Sequence, residues 1–107
     1  MDVIFESRDP QGQALRDVAE RRLRFSLRRL AWWVARATVR LSDVDGPRRG
    51  ADKRCQVELQ PVGGPVVVVT SLAADWRSSL EQAVSRSARA LLRAHRRTFH
   101  HGRQSLA

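Results

Sequence analysis

From Ala37 to Ser42 apolar and polar side chains alternate: Ala37, Val39 and Leu41 are separated by Thr38, Arg40 and Ser42. The same alternation returns where Cys55, Val57 and Leu59 are interleaved with Arg54, Gln56, Glu58 and Gln60. A period of two turns the apolar residues to one face of a strand and the polar residues to the other. Strands over about 34–44 and 53–60 therefore bury one face, and whatever covers that face must come from one side. Two stretches have the helical spacing to do it. Over residues 13–32, Leu15, Val18, Ala19, Leu23, Ser26 and Leu30 fall on one side at ~100° per residue. Over residues 75–97, the inner stripe is Trp76, Leu80, Ala83, Val84, Ser87, Leu91 and Ala94, and Asp75 is a suitable N-cap.

The remaining elements follow from the breaks. Val3 to Glu6 reads as a short first strand, ended by Arg8-Asp9-Pro10-Gln11-Gly12. Asp45 to Gly50 is a loop by composition. Pro61-Val62-Gly63-Gly64-Pro65 is a tight connection that pairs the third strand with a fourth at Val66 to Leu72 as a hairpin. The order is β-α-β-β-β-α. The expected fold is an α+β two-layer sandwich, a four-stranded sheet with two helices packed on one face. The other face is left open, as an antiparallel sheet tolerates. A chain of 107 residues holds one core. The expected domain spans residues 1–97, with 98–107 a polar, disordered tail.

Charge is concentrated in the helices. The chain carries +9, with 20 Lys and Arg against 11 Asp and Glu, and every basic residue except Lys53 is Arg. Residues 11–33 hold six Arg against Asp17 and Glu20, and residues 75–97 hold six Arg against Asp75 and Glu81. Each helix is thus +4, and together they account for eight of the nine net charges. Arg86, Arg89, Arg93 and Arg97 fall within an arc of roughly 80° on the solvent side of the second helix. Arg21, Arg24 and Arg28 fall opposite the apolar stripe of the first. Both helices cover the same sheet face, so the two arginine stripes should form one continuous basic surface, which attracts phosphates through counterion release. Ion pairing within a helix is the competing reading. It fits the first helix, through Asp17 with Arg21 and Glu20 with Arg24, but Glu81 is the sole acid between Trp76 and Arg97.

Catalytic and metal chemistry has little to build on. His95, His100 and His101 lie together near the end of the chain without a second pair of ligands, so no metal or other cofactor is expected. Cys55, the single cysteine, alternates inward on a strand and reads as a core residue. Gly46-Pro47-Arg48-Arg49-Gly50 lacks the phosphate-loop pattern, and its Arg48 and Arg49 either touch RNA or are solvated. Trp32 and Trp33 either stack bases or close the core between helix and sheet. Neither a signal peptide nor a membrane span is apparent, and the longest aliphatic run is Val66 to Val69. These features point to a cytoplasmic protein that is not an enzyme and has no small-molecule substrate.

The order of elements, with two basic helices on one sheet face, resembles the hibernation-promoting factor family, the ribosome-associated inhibitor or sigma-factor modulation proteins. Ala14-Leu15-Arg16-Asp17-Val18 is similar to that family's Ala-Leu-Arg-Glu-Phe opening of the first helix. Asp75-Trp76-Arg77-Ser78-Ser79-Leu80-Glu81 is similar to its Asp-apolar-Tyr-Ala-Ala-Ile-Asp segment, and Arg86, Arg89 and Arg93 fall where the family has Lys or Arg. Leu41 to Pro47, continuing through Asp52-Lys53-Arg54-Cys55, resembles a loop of short, divergent members. The chain departs from the pattern at Arg77, at Ser78-Ser79 and at Ser26, and it is expected to be a short form without the C-terminal dimerisation domain of long members. The resemblance implies a protein seated on the small ribosomal subunit, in the channel for mRNA and tRNA anticodons, that blocks initiation. Arg86, Arg89, Arg93 and Arg97 would then be the main contacts to ribosomal RNA, and Arg21, Arg24 and Arg28 secondary ones.

Two further readings stay open. A general binder of structured or double-stranded RNA would use the same arginines. A protein-interaction module would use the open sheet face and its edge strand. The sequence does not fix the oligomeric state, nor whether such a factor pairs ribosomes or inactivates single ones.

Overall fold

A computed structural model describes residues 1–44 and 52–106, with side chains described to residue 100. The elements in order are β1 (Asp2–Ser7), α1 (Pro10–Gln13), α2 (Arg16–Ser26), a 3-10 turn (Ala31–Trp33), β2 (Val34–Asp43), β3 (Lys53–Pro61), β4 (Val67–Ala73) and α3 (Trp76–Leu106). The strands form one sheet in the order β1-β2-β3-β4. The two-layer α+β reading and the β-α-β-β-β-α order hold. The sheet is mixed rather than antiparallel, because β1 runs parallel to β2 while β2–β3 and β3–β4 are antiparallel. The helical crossover between β1 and β2 returns the chain to the same end of the sheet, and parallel pairing follows. The loop Asp45 to Gly50, with Arg48 and Arg49, lies outside the described residues.

The alternation in the sequence becomes one buried and one open sheet face. Phe5, Val39, Leu41, Cys55, Val57, Leu59 and Val69 point into the core. They meet Ala19, Leu23 and Leu27 of the first helical segment and Leu80, Ala83, Val84, Leu91 and Ala94 of α3. Leu23, Leu59 and Leu80 are fully buried, each stabilising the fold by roughly 1.5–3 kcal/mol. Ser79, where the related pattern has Ala, is also fully buried. Its hydroxyl donates to the Ser71 carbonyl at 3.3 Å, and the Ser71 hydroxyl donates back to the Ser79 carbonyl at 2.5 Å. This reciprocal pair ties the first turns of α3 to β4 and satisfies both hydroxyls.

The first helix differs from its expected span of 13–32. Asp9 Oδ1 accepts from the Gln11 and Gly12 backbone N–H groups and starts α1 behind Pro10, so the helical segment begins earlier. It then breaks near Leu15 and ends as α-helix at Ser26. Leu27 rather than Ser26 continues the inner stripe: Leu27 is buried and Ser26 exposed. Turns through Arg28 to Trp33 follow, and they place Trp33 inside and Trp32 outside. The last helix runs on to Leu106, past the expected end at Arg97. Phe99 explains the first turn of that extension, since its ring packs 4.5 Å from His95 and 5.7 Å from Trp33.

Candidate nucleic-acid interface

Helices α2 and α3 lie side by side over the sheet and, among the described residues, are joined by one ion pair. Arg22 Nε donates to Glu81 Oε1 at 2.8 Å and Nη2 donates to Oε2 at 2.7 Å, a two-pronged contact between helices. The hydrogen bond to Glu81, with its charge, raises the Arg22 pKa further above its ordinary value. Glu81 therefore neutralises a residue of the neighbouring helix and leaves the arginines of α3 unopposed.

All seven arginines singled out by spacing are exposed: Arg21, Arg24, Arg28, Arg86, Arg89, Arg93 and Arg97. They do not point the same way. Arg24 pairs with Glu20 at 3.2 Å, and its Nη1 donates to the Met1 carbonyl at 3.3 Å, on the β1 flank. Arg86 Nη1 donates to the Thr70 carbonyl of β4 at 2.9 Å, on the opposite flank. Arg28 folds back, with its guanidinium 4.2 Å from the Phe25 ring centroid and Nη1 donating to the Phe25 carbonyl. Among the described residues, Arg21, Arg89, Arg93 and Arg97 make no ion pair. The expected pair of Asp17 with Arg21 is not formed, while that of Glu20 with Arg24 is. The single basic front is thus narrower than the two full stripes, with Arg24 and Arg86 turned to its opposite rims.

Spacing missed Arg96, which is exposed and stands seven residues after Arg89, about 20° from it around α3, so a heptad count would have added it to the row. The two tryptophans, for which base stacking and core closure were both open, are told apart by the structure. Trp33 is buried at 2% exposure and closes the core, whereas Trp32 is 66% exposed. Trp32 Nε1 donates to the Arg29 carbonyl at 3.1 Å. Its ring stands edge-to-face with His95 at 5.9 Å and tilted to Phe99 at 6.3 Å. Phe25, Leu92 and Phe99 are also exposed on the helix layer.

The open sheet face is close to neutral. By register it carries Asp2, Glu6 and Glu58 against Arg36, Arg40 and Arg54, a balanced set. Arg40 pairs with Glu6 at 3.3 Å, and Arg54 Nε donates to Ser42 Oγ at 2.9 Å. A groove at the end of β1 is bordered by Arg8, Arg16, Arg40, Arg54 and Trp76. Its arginines are largely engaged, Arg16 lying 5.4 Å from the Phe5 ring centroid. Among the described residues no three His, Cys, Asp or Glu side chains gather at one place, and no helix is long and apolar enough to cross a membrane. Burial pushes the Cys55 thiol up to about 12, which keeps it protonated and inert.

The family model for the sigma 54 modulation protein / S30EA ribosomal protein matches residues 10–98. The chain belongs to this family. Its members are ribosome-associated modulation factors, so association with the ribosome is the functional frame for the basic helix layer. The matched residues take in both helices that carry the arginines and stop just before Phe99. Among curated proteins none matches the chain.

Proposed function

We propose that this chain is a hibernation factor that inhibits translation by binding ribosomal RNA of the small subunit, in the channel for mRNA and tRNA, through its helix layer. The observation that carries the reading is the division of charge. Eight of the nine net positive charges sit on two adjacent helices, while the open sheet face is balanced. A polyanion is held by the first surface and not by the second. Arg21, Arg89, Arg93, Arg96 and Arg97 are the forward contacts, with Arg28, Arg86 and Arg24 at the margins. The protein acts by occupying the channel in the cytoplasm. It needs no catalytic step, cofactor or membrane.

Co-sedimentation with purified ribosomes tests this. Binding at moderate salt is expected, falling as salt rises with a log–log slope of roughly −0.7 to −0.9 per neutralised phosphate. The triple variant Arg86→Glu/Arg89→Glu/Arg93→Glu is expected to dissociate. Binding unchanged by that variant would refute the assignment. Equal affinity for ribosomes and for a generic RNA duplex would favour a general structured-RNA binder.

One observation favours a second reading. Val68 and Leu72 of edge strand β4 are exposed on the open face of the sheet, and Val66 is exposed just before the strand. A protein partner that adds a strand there would be retained after nuclease treatment and at high salt, where the RNA reading predicts release.

A further inference from the structure

We propose that Trp32 is a stacking platform for an unpaired RNA base, set among the arginines that hold the backbone. This rests on the RNA-binding reading above and adds a contact of a different kind to it. Phosphate contacts alone require only charge. An exposed, immobilised aromatic ring is an additional feature that a charge-only surface has no use for.

The ring is held in place. Its N–H is committed to the Arg29 carbonyl, so the indole makes no demand on solvent. His95 and Phe99 of α3 buttress it from the neighbouring helix. Those two rings lie tilted against each other at 4.5 Å and meet the buried Trp33 edge-on at 5.3 and 5.7 Å, so the support reaches the core. With 66% of its surface exposed, Trp32 keeps most of its ring accessible despite these contacts. A rigid aromatic ring loses little entropy when a base lies on it, and every base offers a π-face.

The surroundings choose the occupant. Arg29 and Arg96 adjoin the cluster in sequence, and Arg89 lies in line with Arg96 along α3. A second copy of this chain would bring two layers of +8 together across the patch, which repulsion opposes. An RNA strand places its phosphates on the arginines and an unstacked base on the ring. A perfect duplex keeps its bases stacked and cannot use the ring.

The test uses the full chain with three probes: a mixed-sequence single-stranded RNA 12-mer, the same strand in a perfect duplex, and the same strand with abasic positions. Trp32→Leu is expected to weaken single-strand binding about 5- to 150-fold, the loss that a stack of ~1–3 kcal/mol represents. Duplex and abasic binding, and the salt slope, should not move. Trp32→Phe should keep most of the single-strand affinity. Because Trp33 and Trp76 are buried, intrinsic fluorescence should be quenched by the single strand in the wild type and unaffected in Trp32→Phe.

If Trp32→Leu binds the single strand as the wild type does, while the Arg86/Arg89/Arg93 triple variant loses it, the platform is refuted and the RNA reading stands. Equal loss on all three probes would make Trp32 a structural support and would equally overturn the platform. Failure of the wild type to bind any probe or ribosomes would remove the RNA reading beneath it.

Discussion

Glu81 of α3 meets Arg22 of α2 through both carboxylate oxygens, at 2.8 and 2.7 Å, and is the only acidic side chain of α3 joined to α2. The pair links the two helices that carry the basic face. It also places one negative charge within that face. Both groups are partly exposed, so the interaction depends on screening. A double-mutant cycle with Arg22→Ala and Glu81→Ala should give a favourable coupling at low salt that shrinks toward zero near 1 M NaCl. A coupling that ignores salt would mean that packing rather than charge joins the helices. On ribosomes, Glu81→Gln should bind more tightly and steepen the salt dependence by about one ion, because Arg22 becomes free for phosphate.

Asp75 starts α3, its Oδ1 accepting from the Ser78 N–H at 2.7 Å and Oδ2 accepting from the Ser78 hydroxyl at 3.0 Å. The backbone bond from Ser78, then that from its hydroxyl, holds the Asp75 carboxyl below its ordinary pKa. A carboxylate with a depressed folded pKa adds stability above the unfolded value, near pH 4, and loses it as pH falls through the folded value. The stability gap between wild type and Asp75→Ala should therefore be constant from neutral pH down to about 5 and narrow below about 4. Melting temperatures at pH 7, 5, 4 and 3 measure it, and a gap that widens in acid would contradict this role.

The strands were legible because a period of two leaves little choice of face. Ala37, Val39, Leu41, Cys55, Val57 and Leu59 all turned inward as their alternation required. The first helix was less legible for a geometric reason. Ser26 and Leu27 lie roughly 60° and 40° to either side of Leu23, so spacing alone admits both to the stripe. The chain leaves α2 at Leu27, which is buried while Ser26 stays exposed. The parallel pairing of β1 came from the crossover and not from any residue of β1. The arginine stripes were visible as positions around each helix, but their bonds were not. Arg24 is anchored by Met1 and Arg86 by Thr70, on elements that a helical wheel leaves out. Trp32 and Trp33, adjacent and identical, were indistinguishable until the 3-10 turn put one inside and one outside.

The β3–β4 connection makes two neighbouring glycines differ. Gly63 has φ of +72°, in the left-handed region, with open space where a Cβ would project. Gly64 has no such backbone demand, but an added Cβ would stand 2.5 Å from the buried Trp33 ring. Gly63→Ala should cost about 1–2 kcal/mol from backbone strain alone. Gly64→Ala should cost ~1–3 kcal/mol by overpacking. Trp33→Leu removes the obstructing ring, so the Gly64→Ala penalty should shrink in that background while the Gly63→Ala penalty stays the same. Urea midpoints of the six proteins (wild type, each single variant and the two double variants) decide it, and equal shifts of both penalties would contradict the contact.

Cys55 reports on the core through its proton. Buried between Val57 and Leu41 in the sheet, it keeps that proton to about pH 12 in the folded chain, while an unfolded thiol releases it near 9. From pH 9 to 12 the unfolded state thus binds fewer protons than the folded state, and stability falls as pH rises, by at most ~1.4 kcal/mol per unit. Below pH 9 the thiol contributes no slope. Lys53, raised by its hydrogen bond to Asp43, also destabilises the fold when it loses its proton, but it does so with or without the thiol. The difference between wild type and Cys55→Val, measured by urea unfolding at pH 8, 9 and 10, therefore isolates the cysteine. The variant should gain on the wild type only above pH 9, and native Cys55 should resist alkylation until the chain unfolds. Rapid alkylation of the native protein at pH 8, or a difference flat to pH 10, would place Cys55 outside the core.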